Sequence, residues 1–201
     1  MKSRLGLNIG AWQERSVANG PGQRFVLWMQ GCRRRCRGCF NRHFWPLKPR
    51  VVVPVEWLAE RILSIGGIEG VTYTGGEPIL QAQALTVLSR RLKSAGLSVV
   101  CYSGYTLEEL KQMQNRWVEE LLGLVDILID GPYLEEQAGV WLWRGSKNQR
   151  VHFFTERYRS WADRVNEPIG HVEIGVGKSG YRVTGIWPEE VLKRLAKAME
   201  H

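Results

Sequence analysis

The 201-residue sequence predicts an α/β protein, built as a partial (βα) barrel or a curved, mostly parallel sheet and finished by a C-terminal β-hairpin and helix. Three observations predict it. Strand-type and helix-type segments alternate from Arg24 to Asp130, the pattern of parallel strands joined by right-handed crossovers. A cysteine-rich and a glycine-rich stretch each follow a strand-type run, where open α/β sheets place their ligands. Near the end, two alternating runs flank Gly-Lys-Ser-Gly, and an amphipathic tail follows.

The elements follow in order. Arg4–Ile9 alternates polar and apolar residues as a strand does, and Asn19–Gly22 is dense in turn formers. Arg24–Gln30 is a strongly apolar strand that delivers the chain into a loop holding three cysteines. After a proline-punctuated loop from Trp45 to Arg50, Val55–Ile65 spaces its apolar residues at helical intervals. Gly70–Pro78 is a short β-rich run ending in Gly-Gly-Glu-Pro; Ile79–Gly96 reads as a helix with a glycine stop, and Leu97–Gly104 as the next strand. Thr106 precedes Glu109 by three residues, a capping box that opens one helix over Leu107–Leu122. Leu124–Asp130 is the third buried strand of the series, followed by a long loop from Gly131 to about Arg150 and a Tyr/Trp/Arg-rich stretch to Asn166. His171–Trp187 reads as a hairpin, and Pro188 starts the closing helix.

The length suits a single domain over residues 1–201, with no internal repeat or low-complexity segment. Apolar content of 44% and charged content of 24% are those of an ordinary globular protein. No apolar run approaches the roughly twenty residues that span a bilayer, and the N-terminal stretch lacks the apolar core of a signal peptide. The expected location is the cytoplasm, away from membranes, where thiols stay reduced. The net charge of +8 brings no nucleic-acid motif with it, so nucleic acid is not the expected partner.

Three of the four cysteines, Cys32, Cys36 and Cys39, lie in a C-x3-C-x2-C spacing. Cysteines on one loop can converge on one metal centre, and three thiolates leave one iron of a cubane iron–sulfur cluster open for reaction. Zinc is the competing reading. Its sites pair C-x2-C units with a fourth Cys or His; no second pair stands here, and His43 is the candidate that would close such a site. A disulfide would leave one thiol of the trio over. Cys101 lies in an apolar strand and reads as a core thiol.

The cysteine spacing, followed one βα unit later by Thr74-Gly-Gly-Glu-Pro78, resembles the radical S-adenosylmethionine (SAM) superfamily. The resemblance narrows with Trp28–Asn41, Val125–Gln137, Trp143–Val151 and the C-terminal hairpin, which are similar to the activating component of anaerobic (class III) ribonucleotide reductase. It implies a [4Fe–4S] cluster on Cys32, Cys36 and Cys39, with SAM held on the open iron and by Gly75, Gly76 and Glu77, helped by Asp130 and Ser103. The implied chemistry is reductive cleavage of SAM to a 5′-deoxyadenosyl radical, which takes hydrogen from a glycine in a partner glycyl-radical enzyme. No catalytic side chain is implied beyond cluster and SAM, and a low-potential donor of flavodoxin or ferredoxin type is the expected electron source. Two alternatives stand beside this: a radical-SAM enzyme acting on a small molecule or peptide natural product, and a non-catalytic iron–sulfur or zinc-binding adaptor.

Further residues invite expectations. Asp126 reads as an edge or structural acid, and Arg144, Ser146, Asn148 and Gln149 as lining the site or ordering its loop. Four arginines, at 33, 34, 35 and 37, stand in the cysteine loop; they raise the cluster's reduction potential, dock an acidic reductant or partner, or point to solvent. Tyr73, Tyr105 and Tyr133 are the tyrosines near the expected cofactor.

Overall fold

The computed structural model describes residues 5–177 and 180–187, together with Val191 and Arg194. In chain order the elements are β1 (Gly6–Ser16), β2 (Arg24–Met29), β3 (Val51–Pro54), α1 (Val55–Leu63), β4 (Gly70–Gly75), α2 (Ala82–Ser94), β5 (Ser98–Tyr102), α3 (Leu107–Gln112), α4 (Arg116–Leu122), β6 (Ile127–Asp130), β7 (Ala138–Trp141), β8 (Arg144–Ser146), β9 (Arg150–Phe153), β10 (Val172–Gly177) and β11 (Gly180–Gly185). Of the closing helix expected from Pro188, Val191 and Arg194 are helical and the rest lies outside the described residues.

Seven strands form one sheet in the order β3-β1-β2-β4-β5-β6-β9. Its centre, β2-β4-β5-β6, is parallel; β1 and β3 on one side and β9 on the other run antiparallel to their neighbours. The sheet is open, with no closed barrel. β2 is buried at every position, as its unbroken apolar run requires of a strand covered on both faces.

Side-chain alternation sorts the two faces. Phe25, Leu27 and Met29 of β2, Val71 and Tyr73 of β4, Val99 and Cys101 of β5 and Leu128 of β6 pack in one cluster with Leu58 and Ile62 of α1, Leu85, Leu88 and Leu92 of α2, and Val118 and Leu121 of α4. The other parity, Val26, Trp28, Val100, Ile127 and Ile129, faces away from the helices toward Phe44, Trp143 and Tyr158. The helices therefore cover one face, and the opposite face is left for the loops and hairpins that build the site.

Three local expectations are corrected. The helix over Leu107–Leu122 is two helices: Gln114 takes φ 47°, and Asn115 caps α4 by accepting from Trp117 N at 2.9 Å. The Thr106–Glu109 capping box does open α3. The helix expected from Ile79 begins as a 3-10 turn, Pro78–Gln81, before α2. The segment from Gly131 to Arg150 holds a short hairpin, β7–β8, and then enters the sheet as β9. Trp143 makes that hairpin turn with φ 59° and buries its indole among Val100, Ile127 and Ile129, with 3% exposure.

Arg24, which opens β2, is wholly buried. Its guanidinium donates to Thr72 Oγ1 (2.8 Å), Val71 O (2.8 Å), Pro21 O (3.0 Å) and Ser98 Oγ (3.1 Å), tying β2, β4 and β5 at their amino ends. Burial lowers its pKa, while Tyr158 and Glu69 support the charged form.

Candidate active site

At the carboxyl end of β2, Gly31 adopts φ 102° and turns the chain into the cysteine loop. That loop is moored at its root. Gly31 N donates to Phe44 O (2.8 Å), Cys32 N to Trp45 O (3.1 Å) and Gln30 Nε2 to Pro46 O (2.7 Å). The three loop cysteines are free thiols; Cys32 is buried, Cys36 and Cys39 half-buried. All three line one cavity of about 300 Å³, at the small end of the range for small-molecule sites. Burial pushes the Cys32 and Cys36 thiols up, so a metal binding there must displace protons.

Gly75, Gly76 and Glu77 line the same cavity. Gly75 has φ 98°, and a Cβ there would lie 2.6 Å from Trp28 Cα. A Cβ on Gly76 would lie 2.3 Å from Gly31 O. The close approach that these glycines permit is therefore first to the backbone of β2 and the cysteine loop. Gly76 N donates to Met29 O (2.8 Å) and Glu77 N to Gly31 O (2.8 Å), extending the β2–β4 pairing past the strand ends. The two motifs are stitched together by main chain.

Glu77 is 1% exposed. Its carboxylate accepts from Gly104 N (2.8 Å), Ser103 Oγ (3.0 Å) and Ile79 N (3.1 Å), linking the ends of β4 and β5. Burial nonetheless pushes its pKa up to about 7, against those donors and the nearby Arg34 guanidinium. A cation entering the cavity would meet a carboxylate that lacks a full counter-charge. Ser103 also lines the cavity, with its hydroxyl committed to Glu77 Oε1 and to Tyr105 N (3.1 Å).

Asp130 ends β6 and is fully buried. Its carboxylate accepts from Leu107 N (2.6 Å) and from Arg150 Nη2 (2.6 Å) and Nε (3.1 Å), beside His152 at 3.1 Å. Burial alone would raise it; these partners outweigh burial and hold it at about 2. It is the next residue, Gly131, that lines the cavity. Asp126 is a structural acid, gripped by Lys93 (2.8 Å), Val99 N (2.8 Å) and Thr155 (2.8 Å). Cys101 is buried in the core and its thiol is raised by that burial.

The Gly-Ser-x-Asn-Gln segment orders the loop. Gln149 Oε1 accepts from Gly145 N (3.0 Å) and Ser146 N (3.2 Å), and its Nε2 reaches Gly131 O (3.2 Å). Asn148 donates to Pro132 O (2.7 Å), Leu134 N donates to Ser146 Oγ (3.3 Å), and Arg144 donates to Gln149 O (2.8 Å). Gln149 lines the cavity as well. Of the three tyrosines, Tyr133 lines the cavity. Tyr73 is a core residue bonded to Ser89 at 2.9 Å, and Tyr105 lies under the Arg34 guanidinium at 4.8 Å.

The structure places one of the four loop arginines in the cavity wall and adds a contributor that sequence reasoning missed, the hairpin. Arg34 lines the cavity, held by Tyr105 and by an ion pair to Glu109 (3.2 Å). The β10–β11 hairpin brings Val183–Trp187 to the cavity; Trp187 meets Phe40 at 5.9 Å between centroids, and Phe40 meets Tyr133 at 5.7 Å. The hairpin is fastened by Glu173, which accepts from Val17 N (3.0 Å) and pairs with Ser16 Oγ, and by Asn19 Nδ2 to Thr184 Oγ1 (3.1 Å).

Among the described residues no three His, Cys, Asp or Glu side chains converge where one metal ion could sit. In a cubane cluster each thiolate meets its own iron, so three sulfurs spread around one cavity suit it. No helix among the described residues is long and apolar enough to cross a membrane.

The family described as a 4Fe-4S single cluster domain matches residues 18–152. The anaerobic ribonucleoside-triphosphate reductase-activating protein of Vibrio cholerae is 34% identical over 158 residues, 74% of this chain and 99% of that protein. The protein of the same name from Enterobacteria phage T4 is 34% identical over 139 residues, 66% of this chain and 85% of the other. That from Haemophilus influenzae is 31% identical over 157 residues, 74% and 99% of the two chains. A crystal structure of QueE from Escherichia coli superposes with a TM-score of 0.38 and 21% identity, over 51% of this chain and 53% of the other, a likeness too slight to bear on function.

Proposed function

The chain belongs to the family of anaerobic ribonucleoside-triphosphate reductase-activating proteins, and on that premise we propose that it is a radical-SAM enzyme that installs a glycyl radical on a partner ribonucleotide reductase. The observation that carries the reading is the shared cavity: three free thiols and the Gly75–Glu77 turn face one space at the carboxyl ends of β2 and β4. Cys32, Cys36 and Cys39 hold a [4Fe–4S] cluster. Gly75, Gly76 and Glu77 bind the SAM amino group, for which the buried Glu77 carboxylate is the anionic partner. When bound, cluster and SAM supply reductive cleavage to a 5′-deoxyadenosyl radical and hydrogen abstraction from a glycine Cα.

The chain's own residues bind, orient and exclude water. Ser103 acts through Glu77, fixing the carboxylate by its hydroxyl. Asp130 acts at one remove, anchoring Leu107 N and Arg150 beside the turn that begins at Gly131. Gln149 holds Gly131 O and the β8 backbone, so it shapes the cavity wall. Phe40, Tyr133 and Trp187 form an aromatic group along that side of the cavity. Residues 1–201 work as one cytoplasmic domain. Besides the reductase, the partner is a low-potential one-electron donor of flavodoxin or ferredoxin type; nucleic acid has no part.

The test is anaerobic reconstitution with iron and sulfide, then addition of dithionite and SAM and chromatographic measurement of 5′-deoxyadenosine. Production that disappears in Cys32→Ala, Cys36→Ala and Cys39→Ala variants is the expected result. Retained cleavage in Cys36→Ala would refute the reading.

A further inference from the structure

The positive charge of this chain is concentrated in one place. Residues 31–50, which carry the cluster cysteines, hold six Arg and one Lys and no Asp or Glu, against a net charge of +8 for the whole chain. Two of these cations are spent on neighbours: Arg34 pairs with Glu109 at 3.2 Å and Arg37 with Glu135 at 2.7 Å. Arg33, Arg35, Arg42, Lys48 and Arg50 are exposed. The same stretch carries two exposed apolar side chains, Phe40 and Leu47, each 51% exposed. Elsewhere several surface arginines sit in ion pairs, as Arg61 does with Glu14, Arg90 with Glu120 and Arg91 with Glu60.

We propose that this cationic face of the cysteine loop is the docking surface for a small acidic one-electron carrier protein. The inference rests on the radical-SAM reading above and names where its electron enters. Exposed apolar groups among charges of one sign fit a transient partner of opposite sign, because such charges steer encounter more than they tighten the complex. The choice of an electron carrier follows from position. Electron tunnelling falls off steeply with distance, and Cys36 and Cys39 lie on the same loop as Arg33, Arg35 and Arg42. A protein seated here is separated from the cluster ligands by the loop alone. In the step, one electron leaves the reduced carrier and enters the oxidised cluster; no bond is made or broken and no proton moves.

The test uses the cluster-reconstituted full chain and reduced flavodoxin as the acidic probe. Stopped-flow absorbance follows cluster reduction, and calorimetry follows binding of oxidised flavodoxin at low and high salt. In the double variant Arg33→Glu/Lys48→Glu, the bimolecular reduction rate should fall about tenfold or more at low salt, and the parent's rate should fall toward the variant's as salt rises. Arg91→Glu, a single charge reversal on α2, should leave the rate within about twofold of the parent, as expected of a charge outside the docking face. If the double variant takes up less iron, Arg33→Gln/Lys48→Gln serves in its place, with a smaller loss expected. The yield of 5′-deoxyadenosine with dithionite should match the parent's. A variant reduced by flavodoxin as fast as the parent overturns the proposal, as does an equal loss in Arg91→Glu. So does a variant that keeps its flavodoxin rate but forms less glycyl radical on the reductase, since the face would then belong to the reductase. A parent that binds no iron, or cleaves no SAM with dithionite, fails at the earlier step and overturns the radical-SAM reading itself.

Discussion

Replacing Gly76 with Ala tests whether the glycine pair serves the ligand or the fold. An alanine Cβ at this position would lie 2.3 Å from Gly31 O, 2.9 Å from Gly31 C and 2.9 Å from Met29 O. All three are backbone atoms, held by the bonds Gly76 N to Met29 O and Glu77 N to Gly31 O, so no side chain can swing aside. Relief requires the end of β4 to part from the root of the cysteine loop. Overpacking costs about 1–3 kcal/mol, and stretching those two hydrogen bonds adds about 0.5–1.5 kcal/mol each. A loss of roughly 2–6 kcal/mol follows, and in a chain of this size that lowers Tm by roughly 4–24 °C. The assay is thermal unfolding of the metal-free protein, with Gly66→Ala as control, since a Cβ at Gly66 meets nothing within 4 Å. A Gly76→Ala protein that melts with the parent but no longer binds SAM would refute the steric argument and return the glycine to ligand approach.

Other outcomes follow from the same geometry. Arg24→Met should cost about 3–5 kcal/mol in urea unfolding, because it leaves the Thr72 and Ser98 hydroxyls and three carbonyls without their buried donor, and Arg24→Lys should not restore the fork of contacts. Cys101→Ala should keep full iron content after reconstitution while Cys36→Ala loses it, since the first thiol lies in the core and the second lines the cavity. Glu77, raised from 4.5 to about 7 by burial, binds its proton more tightly folded than unfolded. Metal-free protein should therefore lose stability as pH rises from about 4.5 to 7, by up to about 3 kcal/mol, and Glu77→Gln should flatten that slope. Asp130 works in the opposite sense and in a separate window: held at about 2, it lends stability that is present above its unfolded value of 3.8 and lost as pH falls toward 2. Chemical denaturation at stepped pH reads both.

Much of the site was legible because its chemistry is local in sequence. Cys32, Cys36 and Cys39 share one loop, and Gly75–Glu77 follows the neighbouring parallel strand, so topology alone brings them to one sheet edge. Residues whose partners are distant were harder to read. The role of Gln149 depends on Gly131 and β8, and that of Asp130 on Arg150, which comes alongside only when β9 enters the sheet antiparallel. The β9 strand itself is a four-residue stretch with two charged or titratable members, too short to stand out from a loop. Gln114 breaks the helix because its backbone turns left-handed there; the one sequence signal was Asn115, a good N-cap in the middle of an apolar helical pattern. Arg24 carried no signal of its own in the sequence, because its burial depends on Tyr158 and Glu69, which come from remote segments.

The hairpin that walls the cavity has a consequence for biogenesis. Its fastening to β1 joins residues 157 positions apart at Ser16 and Glu173, and 165 apart at Asn19 and Thr184. The cysteine loop, by contrast, is rooted to segments within the first eighty-one residues, through Asn8, Trp45 and Gln81. On a ribosome the metal-binding loop can therefore emerge and settle long before the wall beside it exists. Chain closure over such a span is slow relative to local folding, which leaves an interval when the thiols are reachable from the side that the hairpin later blocks. Cofactor delivery during synthesis and cofactor delivery to the finished protein would then proceed through different doors.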